Sequence, residues 1–418
     1  MRYLPLLIVS LILFGCNPKQ KEELKQTPLS ISERAEWELL RLADPQTGEI
    51  PPNIRARELK FAQSLPTDNQ IFRKKTSDWK QIGPYNVGGR TRAAAVDVTN
   101  DNIILAGGVS GGMWRTENQG QTWIKTSAND HHHSVTCLTQ DKRQGKENVW
   151  YYGSGEGIGN SATKLFSADY VGDGVYKSTD AGKTWKHMGL ELTRQISWIR
   201  IDPNNPDIVY VAAQGATHGP SADRGVYKST DGGANWTKVL FVDNNTGCAD
   251  LAMDMTNPRI LYAAMWEYQR LPWEIKSGGP GSGMYKSTDA GLTWNKIENG
   301  LPAELGKMSV SVSRANPEKV YALVESDTEK ELGGLFVSND AGNSWNRISK
   351  DHRLTQRAWY YIEVFADPQN ENVVYVLNSP GLKPNKSSNI FVFFVLFPWS
   401  IFLNPYLRTN PLPARRNH

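Results

Sequence analysis

Apolar and polar positions along the middle of this chain fall into short runs that return in sets of four. An alternating run opens each set: "VTCLTQD", "ISWIRID", "ADLAMDM", "SVSVSRA", "YIEVFAD". A turn follows, often with Asn-Pro, and then a run ending on or near Tyr: "VWYYGSG", "IVYVAAQ", "ILYAAMW", "KVYALVE", "VVYVLNS". The third run leads into a polar box, and the fourth starts at the tryptophan that closes it ("TWKHM", "WTKVL", "TWNKI", "SWNRI"). Short β-rich runs bounded by Gly, Asn, Asp and Pro read as strands and turns. Four antiparallel strands repeated around an axis make a β-propeller blade. The pattern predicts an all-β propeller of four-stranded blades, five complete and part of a sixth.

The box itself recurs. "GVYKSTDAGKTW" ends at Trp185, "GVYKSTDGGANW" at Trp236, "GMYKSTDAGLTW" at Trp294 and "GLFVSNDAGNSW" at Trp345. A worn copy ends at Trp123, with Asn118 in place of the Asp. The tryptophans are 62, 51, 58 and 51 residues apart, the period of a repeat built from one supersecondary unit per copy. A catalytic motif occurs once, so Ser178, Asp180, Gly182 and Trp185, with Asp231, Trp236, Asp289, Trp294, Asp340 and Trp345, are expected to be scaffold. On the turn between third and fourth strands, Asp can accept backbone N–H groups and Gly can take positive φ. Trp can bury its rings in the blade packing.

"S-T-D-x-G-x-T-W" resembles the Asp-box, or bacterial neuraminidase repeat, also found in sortilin-type receptors and in two-propeller xyloglucan-cleaving glycosidases. The resemblance covers roughly residues 79 to 377. The opening "WKQIGPYNVGGRTRAAAVD" also resembles the first blade of secreted multi-repeat proteins of Bacteroidetes-like bacteria, of sortilin-like or glycosyl-hydrolase-like type. The resemblance implies the fold; one fold hosts many activities.

The ends differ from the middle. "MRYLPLLIVSLILFGC" is too short for a comfortable membrane span and reads as an export signal over residues 1–16. Its Leu-Phe-Gly-Cys close resembles a lipobox, which implies lipidation at Cys16 and a lipoprotein of the outer membrane or cell surface, with the periplasmic face also open. Residues 17–30 read as a tether, and 31–78 as two short helices around a Pro-Gly break, with Trp37, Leu40, Leu59 and Phe61 as docking residues. The propeller is expected over 79–385. Residues 386–418 break the repeat and read as an aberrant or divergent tail, the mark of a truncated or frameshifted larger protein or of a divergent closing strand. Cys137 and Cys248 fall on first strands of non-neighbouring blades, so two small buried residues are expected rather than a disulfide. With 47 basic against 43 acidic residues and no basic stripe, nucleic acid is not implied.

Candidate chemistry lies on the long connections between second and third strands and between blades, where a rigid scaffold carries binding loops. Trp266, Glu267, Tyr268, Arg270, Trp273 and Glu274 form the most suggestive cluster, since aromatics beside carboxylates suit sugar rings or an extended peptide. Packing of the same rings within the loop is the alternative. Glycosidases need two placed carboxylates, and Glu156, Glu267, Glu274, Glu325 and Asp327 are candidates. The arginines Arg90 and Arg92 invite comparison with a sialidase, whose Arg-Ile-Pro opening is missing. In the xyloglucan-cleaving relatives an Asp precedes the first-blade Gly-Gly, where this chain has Ser110. His131 to His133 lack metal spacing, and His133 is expected to bond backbone at the channel mouth. No metal and no cofactor are expected. Two readings stay open: a lipid-anchored propeller gripping extracellular protein, peptide or polysaccharide through its loop-rich face, or a glycoside hydrolase of xyloglucanase-like or sialidase-like type.

Overall fold

A computed structural model describes residues 33–51, 54–65, 89–156, 170–270, 275–326, 332–356 and 358–377. Cys16, Trp273, Glu274, Asp327, the tether and the 386–418 tail lie outside the described residues.

Five antiparallel sheets follow one another, four of them four-stranded and the fourth in sequence carrying a short fifth strand, Ile275–Ser277, beside its four. Blade 1 comprises Thr91–Val96, Ile104–Gly108, Gly112–Thr116 and Ile124–Lys125. Blade 2 comprises Val135–Gln140, Trp150–Ser154, Val175–Ser178 and Lys186–His187. Blade 3 comprises Ile196–Ile201, Val209–Ala213, Gly225–Ser229 and Thr237–Leu240. Blade 4 comprises Thr246–Met253, Leu261–Arg270, Gly283–Ser287 and Asn295–Ile297, and blade 5 Met308–Val312, Val320–Val324, Gly334–Ser338 and Asn346–Ser349. A sixth sheet has two described strands, Glu363–Ala366 and Val374–Leu377. The first strand of each sheet touches the first strand of the next, from blade 1 through blade 6, so the first strands are the inner ones of a β-propeller.

The core is divided among the gaps between blades. Ala93, Leu105 and Met113 of blade 1 meet Val135, Trp150 and Tyr152 of blade 2 in one apolar layer, and equivalent layers join each later pair. A second strand is therefore covered on both faces. Trp150–Ser154, Val209–Ala213 and Val320–Val324 are buried at every position, which explains their near-continuous apolar sequence. Cys137 and Cys248 are buried and unbridged.

Each box forms the same turn. In blade 2, Ser178 Oγ donates to Asp180 (2.7 Å) and accepts from Gly182 N (2.9 Å), while Asp180 accepts from Thr184 N (2.9 Å) and Thr184 Oγ1 (2.6 Å). Asp231, Asp289 and Asp340 repeat this with Asn235, Thr293 and Ser344. In blade 1 Asn118 preserves the turn by reversing one bond, its Nδ2 donating to Thr122 Oγ1 (2.9 Å). The box tryptophans are graded: Trp185 and Trp345 are buried, Trp236 and Trp294 half-buried, and Trp123 is 38% exposed.

The residue before each box glycine is left-handed: Gln119, Ala181, Gly232, Ala290 and Ala341 have φ between 54° and 68°. That conformation points the N–H and C=O in different directions. The N–H bonds the turn between first and second strands of its own blade, at Asn102, Asn148, Asp207, Arg259 and Glu318 respectively. In blades 2 to 5 the carbonyl reaches the preceding blade. Gly232 O accepts from Tyr151 Oη (3.0 Å) and Lys177 Nζ (2.8 Å), and Ala290 O from Tyr210 Oη and Lys228 Nζ (both 2.8 Å). Ala341 O accepts from Tyr262 Oη (2.7 Å) and Lys286 Nζ (2.6 Å). Blade 1 has no such Tyr, and Arg115 Nε alone donates to Ala181 O (2.8 Å). The recurring second-strand Tyr and the Lys of "VYKS" are thus one inter-blade latch.

The N-terminal helices run over Glu33–Leu42 and Ile54–Ser64. Trp37, Leu40 and Phe61 do not dock: they are 57%, 73% and 65% exposed. Ile50, Pro51 and Ile54 instead line a small cavity with Val171, Arg194 and Thr217, so the link between the helices and the first residue of the second make the contact.

Two outcomes follow from the latch and the turn. Tyr262→Phe should cost about 1 kcal/mol in urea denaturation, the usual worth of one hydrogen bond. Adding Lys286→Met should cost more than the two single changes together, because the Ala341 carbonyl then has neither partner. Side-chain and backbone donors, led by those of Asn235, Thr293 and Ser338 respectively, hold the carboxyls of Asp231, Asp289 and Asp340 down at about 2. A depressed carboxyl stabilises the fold above its unfolded value, near 4, and loses that contribution as pH falls toward the folded value. Changing all three to Asn should therefore shrink the fall in melting temperature between about pH 4 and pH 2.

Candidate functional site on the loop face and axis

The second strand of blade 4 continues to Arg270, and Ile275–Ser277 pairs back along it, so this connection is a hairpin extension of the blade. Trp266 stacks on Tyr268 with ring centroids 4.0 Å apart and donates from Nε1 to Ser277 Oγ (3.1 Å). The two rings pack with Ala249, Ile275 and Trp359. Trp266, Tyr268 and Arg270 are 1%, 0% and 2% exposed, which corrects the expectation of aromatics offered to a ligand. The alternation that places them on a strand also buries them.

The three described candidate carboxylates, Glu156, Glu267 and Glu325, are each engaged. Glu156 is clamped by Arg90, whose Nη1 and Nη2 donate to its two oxygens (2.7 and 2.8 Å), and by Arg92 Nε (3.3 Å). Arg90 also donates to Tyr360 Oη (3.1 Å), and the Arg92 guanidinium lies over the Tyr360 ring at 5.0 Å. The two arginines face a protein carboxylate. Glu267 accepts from Lys276 Nζ (2.6 Å) and Gly281 N (3.0 Å). Glu325 accepts from Ser277 Oγ and Lys307 N, both 2.9 Å.

His133 Nε2 lies 3.3 Å from Ala128 O and 3.2 Å from Lys125 Nζ. The His131 ring packs on Tyr176 at 4.7 Å, and burial lowers its basicity. Among the described residues no three His, Cys, Asp or Glu side chains are grouped to hold a metal.

Sequence reasoning missed the charges on the inner strands. Arg92, Arg200, Asp250 and Glu363 lie on the inner strands of blades 1, 3, 4 and 6, and Lys307 immediately precedes that of blade 5. Asp250 accepts from Ser309 Oγ (2.7 Å) and Val310 N (3.0 Å), with Arg200 Nη2 at 3.9 Å. Burial pushes the Asp250 and Glu363 carboxyls up, against the pull of Arg200 and of Lys307 respectively. Burial pushes the Lys307 amine down to about 8 despite Glu363. The signal was present in "ISWIRID", "ADLAMDM" and "YIEVFAD", where a charge interrupts an otherwise apolar inner strand.

The chain is similar to known proteins over part of its length. A family model described as Sortilin-Vps10 (sortilin, neurotensin receptor 3) matches residues 173–301. The chain is similar to a xyloglucanase of Hypocrea jecorina (strain QM6a), 25% identical over 274 residues, 60% of this chain and 32% of that protein. It is also similar to a xyloglucanase of a Paenibacillus species, 25% identical over 268 residues, 56% and 24% of the two chains. The chain thus spans about a third or less of these curated relatives. Among solved structures, an ancestral GH74 enzyme overlaps with TM-score 0.49 at 17% identity, covering 68% of this chain and 34% of that one. The GH74 enzyme of Niastella koreensis overlaps with TM-score 0.45 at 21% identity, covering 68% and 43%. The chain is a β-propeller, similar over part of its length to the sortilin family model and to the xyloglucanases.

Removing Glu156 tests the clamp. Glu156→Ala leaves two guanidiniums facing each other, and urea denaturation should show a loss of about 2–3 kcal/mol. The value falls below that of a fully buried pair because Arg90 keeps 32% of its side chain exposed.

Proposed function

We propose that this chain is an exported, lipid-anchored β-propeller that binds polysaccharide of the xyloglucan class through its loop-rich face. The substrate class is carried over from the relatives, which are named xyloglucanases. The reading as a binding protein rests on one observation: Glu156, Glu267 and Glu325 are each held by a cation or by N–H and O–H donors. A carboxylate clamped in this way is poorly placed to trade protons with a glycosidic oxygen. The anchor rests on the Leu-Phe-Gly-Cys sequence at Cys16.

Glycoside hydrolysis is the second reading. It is favoured by the relatives' names and by Asp250 and Glu363, two carboxyls that burial holds above their ordinary range, as a general acid requires.

Affinity electrophoresis in xyloglucan beside a reducing-sugar assay separates the two. The expected result is retardation without sugar release. Tyr170 is 45% exposed beside Glu156, so Tyr170→Ala should weaken binding, by about tenfold if the ring stacks on a sugar. Sugar release that disappears in Asp250→Asn or Glu363→Gln would establish the hydrolase instead.

A further inference from the structure

Blade 1 carries an open face. In blades 2 to 5 the aromatic third residue of the box motif turns toward the preceding blade: Tyr176, Tyr227, Tyr285 and Phe336 belong to the apolar layers shared with blades 1, 2, 3 and 4 respectively. Box tryptophans lean the same way, Trp185 Nε1 donating to Thr126 Oγ1 beside blade 1 (3.0 Å) and Trp236 Nε1 to Met188 O beside blade 2 (2.7 Å). Trp114 and Trp123 hold these two places in blade 1, and each is 38% exposed. Ala94 and Ala106 stand in register with Trp114, so they cross the same face. Burial along the second strand, Ile104–Gly108, accordingly alternates, whereas the second strands of blades 2, 3 and 5 are buried throughout.

Blade 6 is open on its other side. Val364, Val374 and Val376 pack against blade 5, while Phe365, Tyr375 and Leu377, which alternate with them, are half-buried. Phe365 and Tyr375 are cross-strand partners. Tyr375 stands at the latch position and donates to Asp367 Oδ2 of its own blade (2.8 Å). The Arg90–Tyr360 bond ties blades 1 and 6 at the loop face. Among the described residues, however, no apolar layer joins these two blades, and Val374–Leu377 is paired along one edge. A strand edge beside an apolar face is a seat for another strand.

The chain beyond Leu377 has the length and composition to fill it. In blades 2 to 5 the third strand begins 10 to 21 residues after the second ends (Ser154 to Val175, Ala213 to Gly225, Arg270 to Gly283, Val324 to Gly334). The same spacing after Leu377 reaches "NIFVFFVLF", residues 389–397. Every residue of that run after Asn389 is apolar, the composition of a strand covered on both faces. No Asp or Glu follows Glu371, so no carboxylate would be buried with it. We infer that residues 389–397 pair with the free edge of Val374–Leu377 as the third strand of blade 6 and cover Trp114 and Trp123 of blade 1. The segment that breaks the repeat in sequence then completes the wall between the first and last described blades. This inference does not depend on the polysaccharide reading.

The test is hydrogen exchange of the full chain, read by mass spectrometry at two protein concentrations, beside hydroxyl-radical footprinting of Trp114 and Trp123. Amides of residues 389–397 should exchange at least about a hundredfold more slowly than in an unstructured peptide, and equally at both concentrations. Ala106→Arg places a charge in the seat and should speed their exchange by at least about tenfold, while peptides from blades 3 and 4 stay protected. Phe393→Asp alters the segment and leaves the described blades untouched, and it should raise oxidation of both tryptophans several-fold. Exchange of 389–397 at the unstructured rate would overturn the inference, as would protection that Ala106→Arg leaves unchanged or tryptophan oxidation that Phe393→Asp does not raise. Protection that grows with protein concentration would assign the seat to a second copy of the chain and overturn it equally.

Discussion

One backbone carbonyl in each of blades 2 to 5 ties that blade to its neighbour. The left-handed residue before the box glycine has its N–H committed to its own blade and its C=O offered to the one before. A buried carbonyl left without donors is costly, so the Tyr and Lys that serve it are as much part of the fold as the apolar layers. The apolar layers supply most of the free energy and little register, because aliphatic surfaces slide. The latch fixes register. It sets how far one blade rotates against the next, and through that rotation the positions of the inner strands whose charges line the axis.

The fold was legible in the sequence for this reason. Four runs, a box and a closing Trp recur because every blade must solve the same packing and hydrogen-bonding problem, and strand alternation then assigns each run its neighbour. Even the worn copy carries its meaning, since Asn118 keeps the turn with one bond reversed. The role of the second-strand Tyr and the box Lys was visible as recurrence, yet its partner was not. That partner is a backbone atom tens of residues away, and backbone atoms leave no trace in a sequence.

The candidate site was less legible. Trp266 and Tyr268 looked like ligand-facing rings because a connection was assumed where the strand in fact continues to Arg270. Glu156 looked like a lone acid because its partners, Arg90 and Arg92, stand 66 and 64 residues away in the chain. Charges on the inner strands went unread because each looks like one exception in one run. Only the ring, which stacks the runs side by side, turns those exceptions into a group. The N-terminal helices show the converse error: their large apolar residues invited a docking role that falls to Ile50 and Pro51 of the short link and to Ile54, which opens the second helix.

The Arg90–Tyr360 bond joins blade 1 to the short helix that leads into blade 6. An open row of repeats frays from its ends, because an end unit has one neighbour to lose where an inner unit has two. A tie between blades 1 and 6 gives each a further neighbour, so peeling either away must also break the tie and the described array opens more nearly as a unit. That cooperativity limits the brief excursions in which a single strand would become a protease substrate.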